Sequence, residues 1–471
     1  MVVGQLEEGV DFLVVGAGPG GYAAALRAAQ LGRRVTLVDR DGADGAGGVC
    51  LRVGCIPSKA LIEAADTAKK VRGADKFGIR ATLDAVDLKQ FQRFKANVVS
   101  DLTNGVRGLL KAAKVDIIEG EFRFNGTDKG VVTPAEGQAR FLNFKDLVLA
   151  TGSRPIVLKD LPLDGENVLD SAGALDLAAV PKKLAIVGGG YIGLEIGIAF
   201  AKLGAKVTIV EAEGRILPTM DEQLSRPVAK TLKALGIEVR LKTFATGYKA
   251  GKLALKTGGK SVSIAADKVV VAVGRRPNTD DLELADAGLK ADENGLLVPA
   301  GDRRVAKHIA AVGDITPGPA LAHKATAEAI VAAEALCGQK TAFLAQAVPA
   351  VVFSDPEIAT VGLTLDAAKA EGIDAHASTF PLTASGRAKT LGASNGFLQI
   401  VADKTDQRVI GVHIVAPHAS DMIGEGTLAI EMGATLEDAA LTIHAHPTLG
   451  EMYGDAAHRA LWKLSGQRDK K

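Results

Sequence analysis

Cysteine is scarce in this 471-residue chain, with three residues at positions 50, 55 and 337. So thin a supply excludes a secreted disulfide framework. An excess of charge of one sign is missing too. Lys plus Arg is 56 and Asp plus Glu is 55, a formal net charge of +1. That balance gives no electrostatic case for nucleic acid or for an anionic membrane surface. No long uninterrupted apolar run occurs. The stretch 184–201 comes nearest, but it holds Glu195 and five glycines, and reads as strand, turn and helix rather than a membrane span. Glu7, Glu8 and Asp11 precede any apolar run, so no signal peptide is read. An Arg- and Ser-rich transit segment is missing as well, and a cytoplasmic protein is the expectation.

Apolar residues and glycine are what the chain does have. The hydrophobic fraction of 47% excludes global disorder. Glycine, at 54 residues, is well above its usual share of about 7%, which points to tight turns or close backbone–ligand approach. The length suggests about three domains, at roughly 150 residues each.

An internal duplication organises the chain. FLVV at 12–15 leads into Gly16-Ala17-Gly18-Pro19-Gly20-Gly21, then a helical segment, then RVTLV ending at Asp39. LAIV at 184–187 leads into Gly188-Gly189-Gly190-Tyr191-Ile192-Gly193, then a helical segment, then KVTIV ending at Glu211. Each unit is strand, GxGxxG, helix, strand, carboxylate. In each the carboxylate lies 23 residues after the first glycine (39 − 16 and 211 − 188). A lone GxGxxG is a weak signal, but this context makes each a dinucleotide site. The glycines admit a pyrophosphate, and the helix N-terminus supplies N–H donors. Asp39 and Glu211 are expected to accept from ribose hydroxyls. Glu211 opposes a 2′-phosphate, which favours NAD over NADP. Two dinucleotides imply a flavin and a nicotinamide.

VLATGSRP at 148–155 and VAVGRRP at 271–277 echo each other after the two units. IAAVGD at 309–314 reads as a strand returning to the first unit. From 348 to 416 short alternating strands appear, followed by helices near 419–434 and 450–465, an α+β pattern. The fold class expected is α/β: two tandem Rossmann-like domains and a C-terminal α+β domain.

GGVCLRVGCIPSK at 47–59 places Cys50 and Cys55 five residues apart. They could be two ordinary buried thiols. A disulfide between them would close a loop too small to be a useful staple, worth about 2 kcal/mol of chain entropy, so a redox switch is the alternative. Pro57 suits the first turn of a helix starting just after Cys55, which would lower a thiol pKa there. Cys337 reads as a buried helix residue. In HAHPTLGE at 444–451, a histidine precedes a carboxylate at a loop-to-helix junction, which suits either a structural role or a base with its orienting group.

The ordered set GAGPGG, GGVCLRVGCIPSK, GGGYIGLE, VGDITPGPALAHKA and HAHPTLGE resembles the pyridine nucleotide–disulfide oxidoreductases over essentially the whole chain. Within that family it is similar to members that oxidise the dihydrolipoyl dithiol of 2-oxo acid dehydrogenase or glycine cleavage complexes. The resemblance implies FAD and NAD as cofactors, a homodimer, and lipoyl domains as partners. It implies a 1–150 FAD domain, a 151–278 NAD domain, a 279–348 central domain completing the FAD site, and a 349–471 interface domain. It makes Cys50 the interchange thiol and Cys55 the flavin-side thiol. His446, contributed by the partner subunit, becomes the base oriented by Glu451. Lys59 and Glu195 become an ion pair near the flavin. FAD would meet Gly16, Gly18, Gly21, Asp39, Lys59, Gly120, Thr151, Gly152, Asp314 and Ala322. NAD would meet Gly188, Gly190, Tyr191, Gly193, Glu211, Val239 and Gly274. Tyr191 is either a packed aromatic or a lid that the nicotinamide displaces. No metal site is implied. The tail GQRDKK lacks the vicinal cysteines of mercuric reductases, and Glu211 departs from the basic NADP pocket of glutathione reductases. Val49 and Arg52 stand where the family usually has Thr and Asn. Another disulfide or quinone reductase, or a non-catalytic flavin-binding subunit, are the rival classes; the latter needs none of the Cys50, Cys55, His446 and Glu451 set.

Overall fold

A computed structural model describes residues 7–466; all but the first residue of the GQRDKK tail lie outside them. The first sheet is built on the strand Glu7–Val15. Its apolar run buries both faces. Phe12 and Val14 enter one core with the helix Pro19–Gln30, while Leu13 and Val15 enter another on the opposite side. Such two-sided burial suits a parallel strand covered on both faces. Its parallel neighbours are Val35–Asp39 and Arg140–Leu149. Asp116–Glu119 extends one edge beyond Val35–Asp39. Ile309–Ala311 pairs in parallel with Arg140–Leu149, so the late strand does return to the first sheet. An antiparallel pair, Glu121–Phe124 and Lys129–Thr133, is joined to the same Arg140–Leu149 strand.

The second unit repeats the plan in a five-stranded parallel sheet. Lys183–Val187 lies between Lys206–Val210 and Lys268–Val271, with Glu238–Arg240 and Val168–Leu169 at the edges. The stretch 184–201 is a strand followed by the helix Tyr191–Leu203, as its glycines suggested. Among the described residues no helix is long and apolar enough to cross a membrane. The echo pair meets directly: Arg275–Pro277 pairs antiparallel with Ser153–Pro155 and ties the two units together.

The C-terminal third is a five-stranded antiparallel sheet in the order Ala350–Val352, Glu357–Gly362, Val409–Ala416, Phe397–Asp403, Ala375–Pro381. The helices Ala419–Glu431 and Glu451–Leu464 pack on it. Glu357–Gly362 is a strand that periodicity alone missed.

The segment that follows Val35–Asp39 in the first unit carries Cys50 and Cys55. A short helix, Gly48–Arg52, ends just before the long helix Cys55–Arg72. Gly54 makes the break; a Cβ there would lie 2.8 Å from the Val49 carbonyl oxygen. The long helix therefore begins at Cys55 itself, not just after it. Cys337 is only half-buried and caps the C-terminus of the helix Ala322–Leu336 rather than lying within it.

Candidate active site

A cavity of about 750 Å³ opens beside the first glycine turn. Its wall carries Gly16, Gly18, Asp39, Cys50, Cys55, Lys59, Gly120, Thr151, Gly152, Tyr191, Glu195, Asp314 and Ala322. The glycines there are required by space. Gly16 has φ +102°, and a Cβ on it would lie 2.3 Å from the Ala150 oxygen. Gly21 is not on the wall; a Cβ on it would lie 1.6 Å from the Gly16 oxygen, so only glycine lets the helix pack this close to the turn. Asp39 accepts from the N–H of Ala17 at 2.7 Å and of Asp41 at 3.0 Å, while burial pushes its carboxyl above the ordinary value. A tight glycine turn, a helix N-terminus and a carboxylate at the next strand end suit the pyrophosphate and ribose of a dinucleotide.

The second turn follows the same plan, with Glu211 in place of Asp39. Gly188 has φ +111°, and its Cβ would lie 2.3 Å from the Ala272 oxygen. Gly193 packs on the Gly188 oxygen as Gly21 does on Gly16. Glu211 is buried and accepts from Gly189 N–H at 2.5 Å and Glu213 N–H at 2.8 Å. Gly190 caps the helix, Val239 lies on the neighbouring strand, and Gly274 sits at φ +123°. Of this second set, Tyr191 reaches the cavity that holds the cysteines. Its ring is 45% exposed, so it is not an aromatic packed between helix and sheet.

The two thiols are close neighbours. Both are free, and Cys50 donates its S–H toward the Cys55 sulfur. That hydrogen bond draws Cys55 down to about 7 against the cost of burial, with the Lys59 ammonium helping. The same contact, with burial, pushes Cys50 up. Lys59 is one helical turn on from Cys55. Its Nζ lies 2.8 Å from Glu195 Oε2 and 4.3 Å from the centre of the Phe353 ring. Ser58 Oγ donates to the same Glu195 oxygen, and Phe353 N–H donates to Oε1. Every oxygen of this buried carboxylate is thus occupied, as burial of a charge demands. Ser58 lies in the cysteine motif but was given no role there, and Phe353 belongs to no motif; tertiary packing brings both to Glu195. Arg52 pairs with Asp41 at 2.6 Å, and Val49 is exposed.

The two histidines of HAHP are separated by geometry. His444 is held by Glu425 at 2.7 Å and its ring closely approaches Gly454. His446 is exposed, with Nδ1 2.8 Å from Glu451 Oε1, and Glu451 Oε2 accepts from Thr448 N–H. The His446 bond holds the Glu451 carboxyl below its ordinary value. With Nδ1–H donating to the carboxylate, Nε2 is left as the proton acceptor. His446 does not line the cavity holding this chain's own cysteines. Among the described residues no group of three His, Cys, Asp or Glu is placed to hold a metal ion.

Residues 10–329 match the model of the pyridine nucleotide-disulphide oxidoreductases, and residues 348–457 match the dimerisation domain of that family. The chain belongs to the pyridine nucleotide-disulphide oxidoreductases. It is an oxidoreductase whose cofactors are FAD and NAD. Among its relatives, a dihydrolipoyl dehydrogenase of Geobacillus stearothermophilus is 49% identical over 467 residues, 98% of each chain. The Bacillus subtilis dihydrolipoyl dehydrogenase is 45% identical over 467 residues, again 98% of each. Among solved structures, LpdA of Mycobacterium tuberculosis superposes with a TM-score of 0.88 at 27% identity, covering 96% of this chain and 99% of that one. RclA, an HOCl-induced flavoprotein disulfide reductase of Escherichia coli, gives 0.83 at 26% identity, covering 95% and 99%.

Proposed function

We propose that the chain oxidises dihydrolipoyl dithiols with NAD⁺, producing the lipoyl disulfide and NADH, in the cytoplasm and as a homodimer serving lipoyl domains. The observation that carries this reading is the thiol pair on the wall of the cavity beside the first glycine turn, with Lys59 one helical turn from Cys55. The strong full-length likeness to dihydrolipoyl dehydrogenases supports the choice of substrate. Residues 1–150 form the FAD domain, 151–278 the NAD domain, 279–348 the central domain, and 349–471 the interface domain.

Gly16, Gly18, Asp39, Gly120, Thr151, Gly152, Asp314 and Ala322 hold FAD, with Gly21 closing the turn beneath it. Gly188, Gly190, Gly193, Glu211, Val239 and Gly274 hold NAD, with Tyr191 at the boundary. When bound, FAD carries the electron pair between the thiols and NAD⁺. His446 of one subunit takes a proton from the substrate thiol at Nε2. The resulting thiolate attacks Cys50 of the oxidised Cys50–Cys55 pair, and the Cys55 thiolate leaves. The second substrate thiol then displaces Cys50. The substrate loses two electrons and two protons: the cysteine pair gains the electrons, one proton rests on His446, and the proton of the second thiol passes to the departing Cys50 sulfur. Lys59 stabilises the leaving thiolate, and Glu195 keeps Lys59 in place.

Turnover of dihydrolipoamide with NAD⁺ and NADP⁺ tests the assignment. A kcat/KM ratio strongly favouring NAD⁺ is expected, because Glu211 repels a 2′-phosphate. Glu211→Arg should move the ratio toward NADP⁺. A ratio near one in the unaltered chain would overturn the nicotinamide assignment.

The thiol pair also sets a pH dependence. In the reduced protein one thiol should ionise with a midpoint of about 7, so thiolate grows as pH rises through that value. Ultraviolet thiolate absorbance reads it directly. Lys59→Met should raise the midpoint, because a cation favouring the charged form is lost. An unchanged midpoint would mean that Lys59 does not reach the sulfur electrostatically.

A further inference from the structure

Glu328 is fully buried in the helix Ala322–Leu336, away from the cavity wall, and belongs to none of the motifs above. A buried carboxylate persists only where donors satisfy it. Two of its donors lie on one short turn, 313–316. Oε2 accepts from Gly313 N–H at 2.7 Å and lies 3.3 Å from the Thr316 hydroxyl. Oε1 is paired with Arg303 at 2.7 Å and Lys324 at 3.1 Å. Lys324 in turn donates to the Gly313 oxygen and to Thr316 Oγ1, and Thr316 donates to the Gly313 oxygen. Gly313 is in the left-handed region at φ +78°, a conformation that must be held. The residue between these anchors is Asp314. It lies on the cavity wall and accepts from Ser153 Oγ at 2.6 Å.

We propose that Glu328 is a positioning residue for FAD binding, setting Asp314 through the N–H of Gly313. This rests on the reading of Asp314 as an FAD contact. A carboxylate is suited to the task because one group can hold the turn's N–H and, through Lys324, its oxygen. The orientation of Asp314 is then fixed from beneath by charge and from the side by Ser153.

The test is FAD release from the full-length holoenzyme on dilution, followed by flavin fluorescence, in Asp314→Ala, Glu328→Gln and the double variant. Thr316→Val is a milder variant that keeps the charges of the cluster intact. Thermal unfolding by circular dichroism is recorded alongside. Asp314→Ala should speed release at least tenfold. Glu328→Gln should do so by a similar factor at temperatures where it is fully folded, and Thr316→Val by a few-fold. In the Asp314→Ala background both effects should vanish, because the pathway through Asp314 is already cut. If Glu328→Gln does not fold, Thr316→Val and its double variant decide the matter. Additive effects, or lowered unfolding temperatures with unchanged release, would overturn the proposal and leave Asp314 as an FAD contact. Unchanged release in Asp314→Ala would overturn that reading and the proposal with it.

Discussion

Cys50→Ser and Cys55→Ser should each lose dihydrolipoamide turnover, because neither can form the internal disulfide that accepts electrons from the substrate. They should differ in colour. Cys55 owes its low pKa first to the S–H donated by Cys50 and then to Lys59. A serine hydroxyl at position 50 is still a donor, so Cys50→Ser should keep a thiolate at Cys55 at neutral pH. Beside oxidised FAD it should give a long-wavelength absorbance without any reductant. In Cys55→Ser the remaining thiol is Cys50, whose burial disfavours the thiolate, so no band is expected. Electron transfer from NADH to an artificial acceptor should survive in both, since the two nucleotide turns are untouched. The spectra at neutral pH decide. A band in Cys55→Ser instead would reverse the two sulfurs, and a band in neither would remove the thiolate–flavin contact from the mechanism.

The parts of this fold that were legible in the sequence are those where one residue type answers one local demand. Gly16 and Gly188 are fixed by carbonyl oxygens 2.3 Å from where a Cβ would be, and Gly21 and Gly193 by helix–strand packing. Such constraints leave a spacing that can be read. The continuous apolar strands FLVV and LAIV follow from burial on two faces. The strand Glu357–Gly362 was not legible. Its EIATVG buries Ile358, Ala359 and Val361 only because antiparallel neighbours exist on both sides. The three-stranded meander Thr243–Lys249, Lys252–Thr257 and Lys260–Ala265 was missed for a different reason: its last strand is largely exposed and polar.

Within the site, the motifs and the resemblance gave the thiols, Lys59 with Glu195, and His446 with Glu451, but not the further groups that hold them. Glu195 could be read from the resemblance, yet its partners Ser58 and Phe353 come from different elements, and Phe353 from the far side of the chain. The Arg275–Ser153–Asp314 chain likewise joins three segments. No local pattern records a contact between residues more than a hundred positions apart. Glu211 was expected to meet a ribose; the structure adds that its oxygens already grip Gly189 and Glu213, so the same carboxylate also shapes the turn.

His446→Gln should lower dihydrolipoamide turnover by about 100- to 10,000-fold, the usual worth of a positioned base. The structure explains why His446, and not His444, has this effect. His444 is spent on Glu425, whereas His446 is exposed and presents Nε2 with Nδ1–H tied to Glu451. His444→Gln should therefore cost much less in rate than His446→Gln. Glu451→Gln should fall between them. Its imidazole partner remains, but both carboxylate oxygens are in use, one by His446 and one by Thr448 N–H. An amide can accept only one of these bonds and must turn its NH₂ toward the other. If it faces His446, the proton moves to Nε2 and the base is lost from a fraction of the molecules, as a wrong tautomer would require. Because His446 lies outside its own chain's cysteine cavity, the defect should also be shared across the dimer. Mixing His446→Gln with Cys50→Ser subunits should restore turnover, since one of the two shared sites in each mixed dimer regains a whole Cys50, Cys55 and His446 set. Turnover in mixed dimers no higher than the parents would place the base and the thiols in one subunit.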